Sequence, residues 1–177
     1  KFEVTGQFRP VNKAEDICLL NKCYLQFAKG LNGYVLRDSQ DWDRVLNDIR
    51  LEQGHMRVYV EGEYILGYII YYIQDRQFFI RELAFADEKS KLAILRFVLA
   101  HSDIIDQIQW KAPYINEERL ILQKFGISYT ENPFVMGRIV DVTKTFEQIL
   151  GGLDDIELDI TLKVVDRFLE WNNQTYD

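Results

Sequence analysis

Arg37 and Trp42 are the residues whose types and spacing best suit a binding pocket, a guanidinium and an indole five positions apart. The alternative also stands at this stage: Trp42 packs in the core of its helix, and Arg37 pairs with a nearby acid. Tyr68, Tyr71 and Tyr72 could include a proton donor, although a tyrosine-rich strand ordinarily serves packing. His55 and His101 have no second histidine or cysteine at ligand spacing, so no metal site is expected. Cys18 and Cys23 lack a neighbouring base and read as small core residues, with no disulfide between them. The acidic run Asp154, Asp155, Glu157, Asp159 lacks the pattern of a calcium loop and reads as a solvated face.

A strand, Phe78–Ala86, leads through Asp87-Glu88-Lys89-Ser90 into an apolar helix, Lys91–Ser102, and a second strand follows at Gln107–Lys111. Such a parallel crossover places ligands at the strand-to-helix joint. A joint that binds a phosphate is usually glycine-rich, so that backbone N–H groups can approach it. Here no glycine occurs between Gly67 and Gly126, and the joint carries Asp87 and Glu88. At a helix start the macrodipole favours each carboxylate by roughly 0.3–1 kcal/mol. A phosphate about 4 Å away is repelled by on the order of 1 kcal/mol in water, and by about 4 kcal/mol at an effective dielectric near 20. Lys89 and Lys91 offset part of this. No catalytic residue is assigned to the chain.

The elements around this unit follow from pattern. Asn12 caps a helix, with Glu15 completing an approximate capping box, and Ile17, Leu20, Tyr24 and Phe27 form its core stripe. Lys29-Gly30 stops it. Asp38 or Ser39 caps a second helix with Trp42, Val45, Leu46 and Ile49 on one face. His55–Val60 and Tyr64–Ile73, the latter with Gly67 inside, precede the crossover as an antiparallel meander. Beyond it, Glu117–Lys124 reads as a helix, Asn132–Val140 as a turn and closing strand, and Asp141–Ile149 as a short helix. Gly151-Gly152 is a hinge. Ile156 to Val164 alternates as a half-buried strand with little after it to pair with. The fold expected is a mixed α/β sheet.

The 177 residues are 47% hydrophobic with a formal net charge of −7, enough for a core and unsuited to nucleic acid or an anionic membrane. Nothing approaches the roughly 20 apolar residues of a membrane span. The cysteine usage points to a reducing compartment, the cytoplasm. The chain starts on Lys1, closes on Asn172–Asp177 without an obvious terminating element, and carries in its tail a strand without an evident neighbour, and we read it as a piece of a longer protein.

The order of motifs resembles the GNAT acetyltransferases, and more narrowly the second GNAT-like domain of Eis-type (enhanced intracellular survival) N-acetyltransferases. The residues concerned are Arg9-Pro10, Gly33, Arg37, Trp42, Gly67-Tyr68, Arg81-Glu82-Leu83, His101, Pro113 and Met136-Gly137-Arg138-Ile139-Val140-Asp141-Val142. The resemblance implies a GNAT-like domain over 1–148, a hinge at 149–152, and over 153–177 the beginning of a sterol-carrier-protein-like domain. It implies a parent protein that moves acetyl from acetyl-CoA to amines, with this cofactor-free segment shaping the substrate cleft and supporting a homo-oligomer. Its partners would be a preceding N-terminal GNAT domain and the rest of the C-terminal domain. A stand-alone interaction module, and an active enzyme with a degenerate cofactor loop, are the alternatives.

Overall fold

The computed structural model describes residues 5–31, 33–112, 130, 137–150 and 160–176. The chain divides into two compact units, 1–125 and 126–177.

The first unit is a five-stranded sheet, β1 (Gln7–Pro10), β2 (His55–Glu61), β3 (Tyr64–Gln74), β4 (Gln77–Phe85) and β5 (Gln107–Trp110), in that spatial order. The first three pairings are antiparallel and β4–β5 is parallel. Helices α1 (Lys13–Ala28) and α2 (Ser39–Leu51) cover one face, where Leu20, Tyr24, Trp42 and Ile49 meet Tyr68, Ile70 and Ala84. Helix α3 (Glu88–Leu99) covers the other, with Ile94 and Val98 on Ile69, Phe78, Ile80 and Leu83. With both faces covered, β3 is apolar almost throughout.

Two bulges break the period-two alternation of this sheet. Opposite Tyr59/Val60 the partners jump from Gly67 to Ile65, leaving Leu66 extra on β3. Opposite Ile70/Tyr71 they jump from Glu82 to Ile80, leaving Arg81 extra on β4. Gly67 lies under α3, where a Cβ would stand 2.7 Å from Ile94 Cδ1 and 3.1 Å from the Ala84 carbonyl oxygen.

The Asp75-Arg76 turn joins β3 to β4 with φ of 49° and 61°. Positive φ at both central residues is the hairpin turn whose twist suits the flanking strands. The Arg76 guanidinium donates to both Asp106 oxygens at 2.7 Å, and the Asp106 N–H donates to the Arg76 carbonyl at 2.7 Å. This clasp delivers the chain into β5 in register, Gln77 beside Gln107.

Several expectations change in detail. Asn12 does cap α1, accepting from the Ala14 N–H, but the return bond to its own N–H comes from Asp16 at 2.6 Å rather than from Glu15. Asp16 is also forked to Arg9 at 2.6 and 2.8 Å, tying β1 to α1. Helix α3 begins at Glu88, not Lys91, because Asp87 and Ser90 form a reciprocal capping box, and it ends at Leu99 rather than Ser102. Cys23 is core, but Cys18 is exposed on the opposite side of the helix.

In the second unit α4 (Val142–Leu150) is capped by Asp141, whose Oδ1 accepts the Lys144 N–H at 3.0 Å. Residues 137–140 form no strand, and the remainder of the expected closing strand, like the expected helix Glu117–Lys124, lies outside the described residues. The tail is corrected too. Its strand β6 (Leu162–Lys163) does find a partner, β7 (Thr175–Tyr176), because the chain folds back through Asp166–Asn173. Ile160 and Leu162 are 60% and 40% exposed, and 156–159 lie outside the described residues. Asp166 accepts from the Phe168 and Leu169 N–H groups and from Arg138, while buried Asn172 bridges Val140, Val142 and Asp166.

Candidate functional site

The bulge at Arg81 positions the candidate site. Strict alternation from Phe78 and Ile80, both in the α3-side core, would send Glu82 into that core as well. With Arg81 as the extra residue, Arg81 and Glu82 both face α1 and α2. Arg81 reaches Glu52 at 3.0 Å, Asp48 at 3.5 Å and the Tyr72 hydroxyl at 3.0 Å. Glu82 receives Arg37.

The Arg37 guanidinium donates to the two Glu82 oxygens at 2.7 and 2.6 Å. Its Cζ lies 4.3 Å from the centroid of the Tyr24 ring and 4.7 Å from that of Trp42. Trp42 is fully buried, edge-on to both Tyr24 and Tyr68, and its Nε1–H donates to Asn21 at 3.0 Å. The Tyr68 hydroxyl donates to Glu82 Oε1 at 2.5 Å, and that of Tyr24 to the Val35 carbonyl at 2.9 Å. Capping by Asp38, which accepts the Asp41 N–H at 2.9 Å, sets the start of α2 and hence the position of Trp42.

Burial works against the Arg37 charge, but the Glu82 carboxylate more than offsets it, and the pKa ends above the ordinary value. The Tyr68 hydroxyl is pushed well above the ordinary tyrosine value, first by burial and then by Glu82. Tyr24 is raised by burial, with Arg37 opposing. Both phenols are thus held in their protonated form around the Arg37–Glu82 ion pair.

Arg37 and Trp42 thus come together, Arg37 paired with an acid and Trp42 packed. Tyr24 and Glu82 join them, neither of them a site residue that the sequence singles out. The signal for Glu82 is a charged residue in a run, Phe78-Phe79-Ile80-Arg81-Glu82-Leu83-Ala84, where alternation would bury it. Tyr71 lies elsewhere, stacked on Phe78 at 4.6 Å on the α3 side beside His101. The Tyr72 hydroxyl donates to Glu52 at 2.5 Å. His101 Nδ1 is 2.9 Å from the Phe97 carbonyl, and burial pushes the Cys23 thiol up to about 12. Among the described residues no group of three His, Cys, Asp or Glu side chains could hold a metal ion, and no helix is long and apolar enough to cross a membrane.

At the other end of β4, strands β4 and β5 pair only over Gln77–Ile80 and Gln107–Trp110, and β4 then runs on to Phe85. The strand-to-helix joint shrinks to Ala86-Asp87. Asp87 Oδ1 accepts the Ser90 N–H at 2.7 Å, and Ser90 Oγ accepts the Asp87 N–H at 3.1 Å. Lys89 turns away to Glu61, 3.0 Å, and Lys91 lies 3.6 Å from Glu88 and over the Phe85 ring. The acidic run at 154–159 lies outside the described residues.

The fold has counterparts among known proteins. Residues 33–139, more than half of the chain, match the family model of the acetyltransferase (GNAT) domain. No curated protein matches. Among solved structures the chain is similar to a conserved protein of unknown function and probable N-acyltransferase from Enterococcus faecalis, at 25% identity and a TM-score of 0.53. The match takes in 61% of this chain and only 28% of the Enterococcus chain. An acetyltransferase from Thermus thermophilus shares the fold at TM-score 0.58 and 18% identity, over 72% of this chain and 90% of that one. An N-acetyltransferase from Staphylococcus aureus does so at 0.51 and 14%, over 68% and 82%. The mixed sheet, its parallel β4–α3–β5 crossover and the family match agree: the chain belongs to the GNAT acetyltransferase family.

Proposed function

We propose that this chain is a cofactor-free GNAT domain that lines an amine-handling cleft in a larger N-acetyltransferase. It corresponds to the second GNAT-like domain of an Eis-type protein, with 149–152 as a hinge and 153–177 beginning a sterol-carrier-protein-like domain. The parent works in the cytoplasm as a homo-oligomer, and its acetyl-CoA is held by the preceding domain.

The observation that carries this reading is the Asp87–Ser90 capping box. A pyrophosphate at a helix N-terminus needs exposed N–H donors and nearby cations. At α3 a carboxylate takes the Ser90 N–H, a second acid follows at Glu88, and Lys89 and Lys91 both lie against carboxylates. These residues do not fit the pyrophosphate of acetyl-CoA. The large uncovered share of the Enterococcus chain supports a longer parent. A net charge of −7 suits cationic amines as the acceptor class.

Isothermal calorimetry of the chain with acetyl-CoA tests this. We expect no binding at micromolar concentration; saturable micromolar binding would replace this reading with that of an active enzyme carrying a degenerate loop. The exposed Val165, Phe168 and Trp171 of the second unit, at 75%, 79% and 63%, favour the interaction-module reading if no acetyltransferase activity accompanies the parent.

A further inference from the structure

Arg37 occupies a site with the attributes of a cation receptor. Two aromatic faces flank its guanidinium, at 4.3 and 4.7 Å, and a carboxylate engages it by two bonds. Most of the walls are held by groups other than Arg37. The Trp42 indole is fixed by Asn21 and full burial, Glu82 by the Tyr68 hydroxyl, and Tyr24 packs edge-on to Trp42. Trp42 and Glu82 therefore keep these partners when the occupant leaves, while the Tyr24 hydroxyl gives up the Val35 carbonyl.

The segment that carries the occupant is less regular than the elements that carry the walls. Residues 33–38 form neither helix nor strand, and Gly33 has φ of +75°. Tyr34, Val35 and Leu36 are 38%, 65% and 72% exposed. Among the described residues, the hydrogen bonds of 34–37 are the fork from Arg37 to Glu82 and the one that the Val35 carbonyl accepts from Tyr24. Both run to the cage itself.

We propose that Tyr24, Trp42 and Glu82 form a cation-binding cage, that Arg37 is its resident ligand, and that a guanidinium or primary-amine compound takes the cage when residues 33–38 lift. The inference deepens the amine-handling reading above and rests on it for the class of ligand. A ligand on a short tether acts at an effective concentration on the order of millimolar. Free cations therefore compete poorly with Arg37 in the native chain, and neutralising Arg37 removes the competitor.

The test uses the full chain with ethylguanidinium chloride, sodium chloride serving as the ionic-strength control. In Arg37→Ala, millimolar ethylguanidinium is expected to raise Tm saturably and to shift the Trp42 indole N–H resonance. The native chain should respond at least tenfold more weakly, and Arg37→Ala/Glu82→Gln not at all. If Arg37→Ala does not fold, Arg37→Gln, which retains a neutral donor to Glu82, takes its place. An equal response in the native chain, a response retained in the double variant, or none in either Arg37 variant overturns the proposal. Acetyl-CoA binding would overturn the cofactor-free reading without touching these outcomes, so the two failures are distinct.

Discussion

Arg37 and Glu82 meet in a two-bond fork at 2.7 and 2.6 Å, and they do so because one residue, Arg81, is left over in the β3–β4 ladder. The bulge turns Glu82 toward α1 and α2, where the segment before α2 delivers Arg37. The side chains are 14% and 26% exposed, so the pair is well shielded from water.

Removing one charge from such a pair leaves the other uncompensated, at a cost of about 3 kcal/mol. Glu82→Gln, which preserves an acceptor for Tyr68, should lower stability by that order in urea unfolding. Arg37→Met/Glu82→Gln should recover much of the loss, since neither charge is then stranded. Additive losses would show instead that the two charges act independently and that the fork carries no coupling energy.

Asp16, whose side chain is buried against Arg9, should contribute to acid sensitivity. The Arg9 hydrogen bonds hold its pKa below the ordinary carboxylate value, ahead of the opposing effect of burial. A folded pKa below the unfolded one, about 4, contributes stability that is complete above the unfolded value and is lost as pH falls through the folded one. Asp16→Asn should be less stable than the native chain at pH 7, and the gap should narrow as the solution is acidified below the unfolded value. Unfolding midpoints across that range check it.

Gly67→Ala should destabilise the first unit by about 1–3 kcal/mol through overpacking. Its Cβ would meet Ile94 Cδ1 at 2.7 Å and the Ala84 carbonyl oxygen at 3.1 Å. Ile94→Val removes the nearer atom, so in the Ile94→Val background the glycine substitution should cost measurably less. A double-mutant cycle followed by thermal unfolding reads the difference.

Asn172 is 1% exposed, and its side chain accepts the Val142 N–H at 3.2 Å and donates to the Val140 carbonyl and to Asp166. Asn172→Asp would set a buried carboxylate beside Asp166, costing on the order of 3 kcal/mol. Amide exchange at Val142 should be faster than in the native chain at pH 7, and the ratio of the two rates at equal pH should fall as the solution is acidified and one carboxyl takes up a proton.

Much of the fold is legible along the chain. The 3.6-residue spacing of Leu20, Tyr24 and Phe27, the Asp38 cap and the strand–helix–strand order each depend on neighbours within a few residues, where local chemistry decides. The start of α3 escapes a reading by polarity because Asp87-Glu88-Lys89-Ser90 is polar, yet a capping box makes that polarity the first turn of the helix. The partner of the tail strand is hidden for another reason: pairing 162–163 with 175–176 depends on the turn between them. The choice of Arg37 and Trp42 follows from residue type, but their companions do not. Which face Glu82 occupies depends on a bulge, and a bulge is a property of two strands in register, set by packing against α3 on one side and α1 and α2 on the other. No periodicity in one strand encodes it, so the cage around Arg37 exists only once the sheet is assembled.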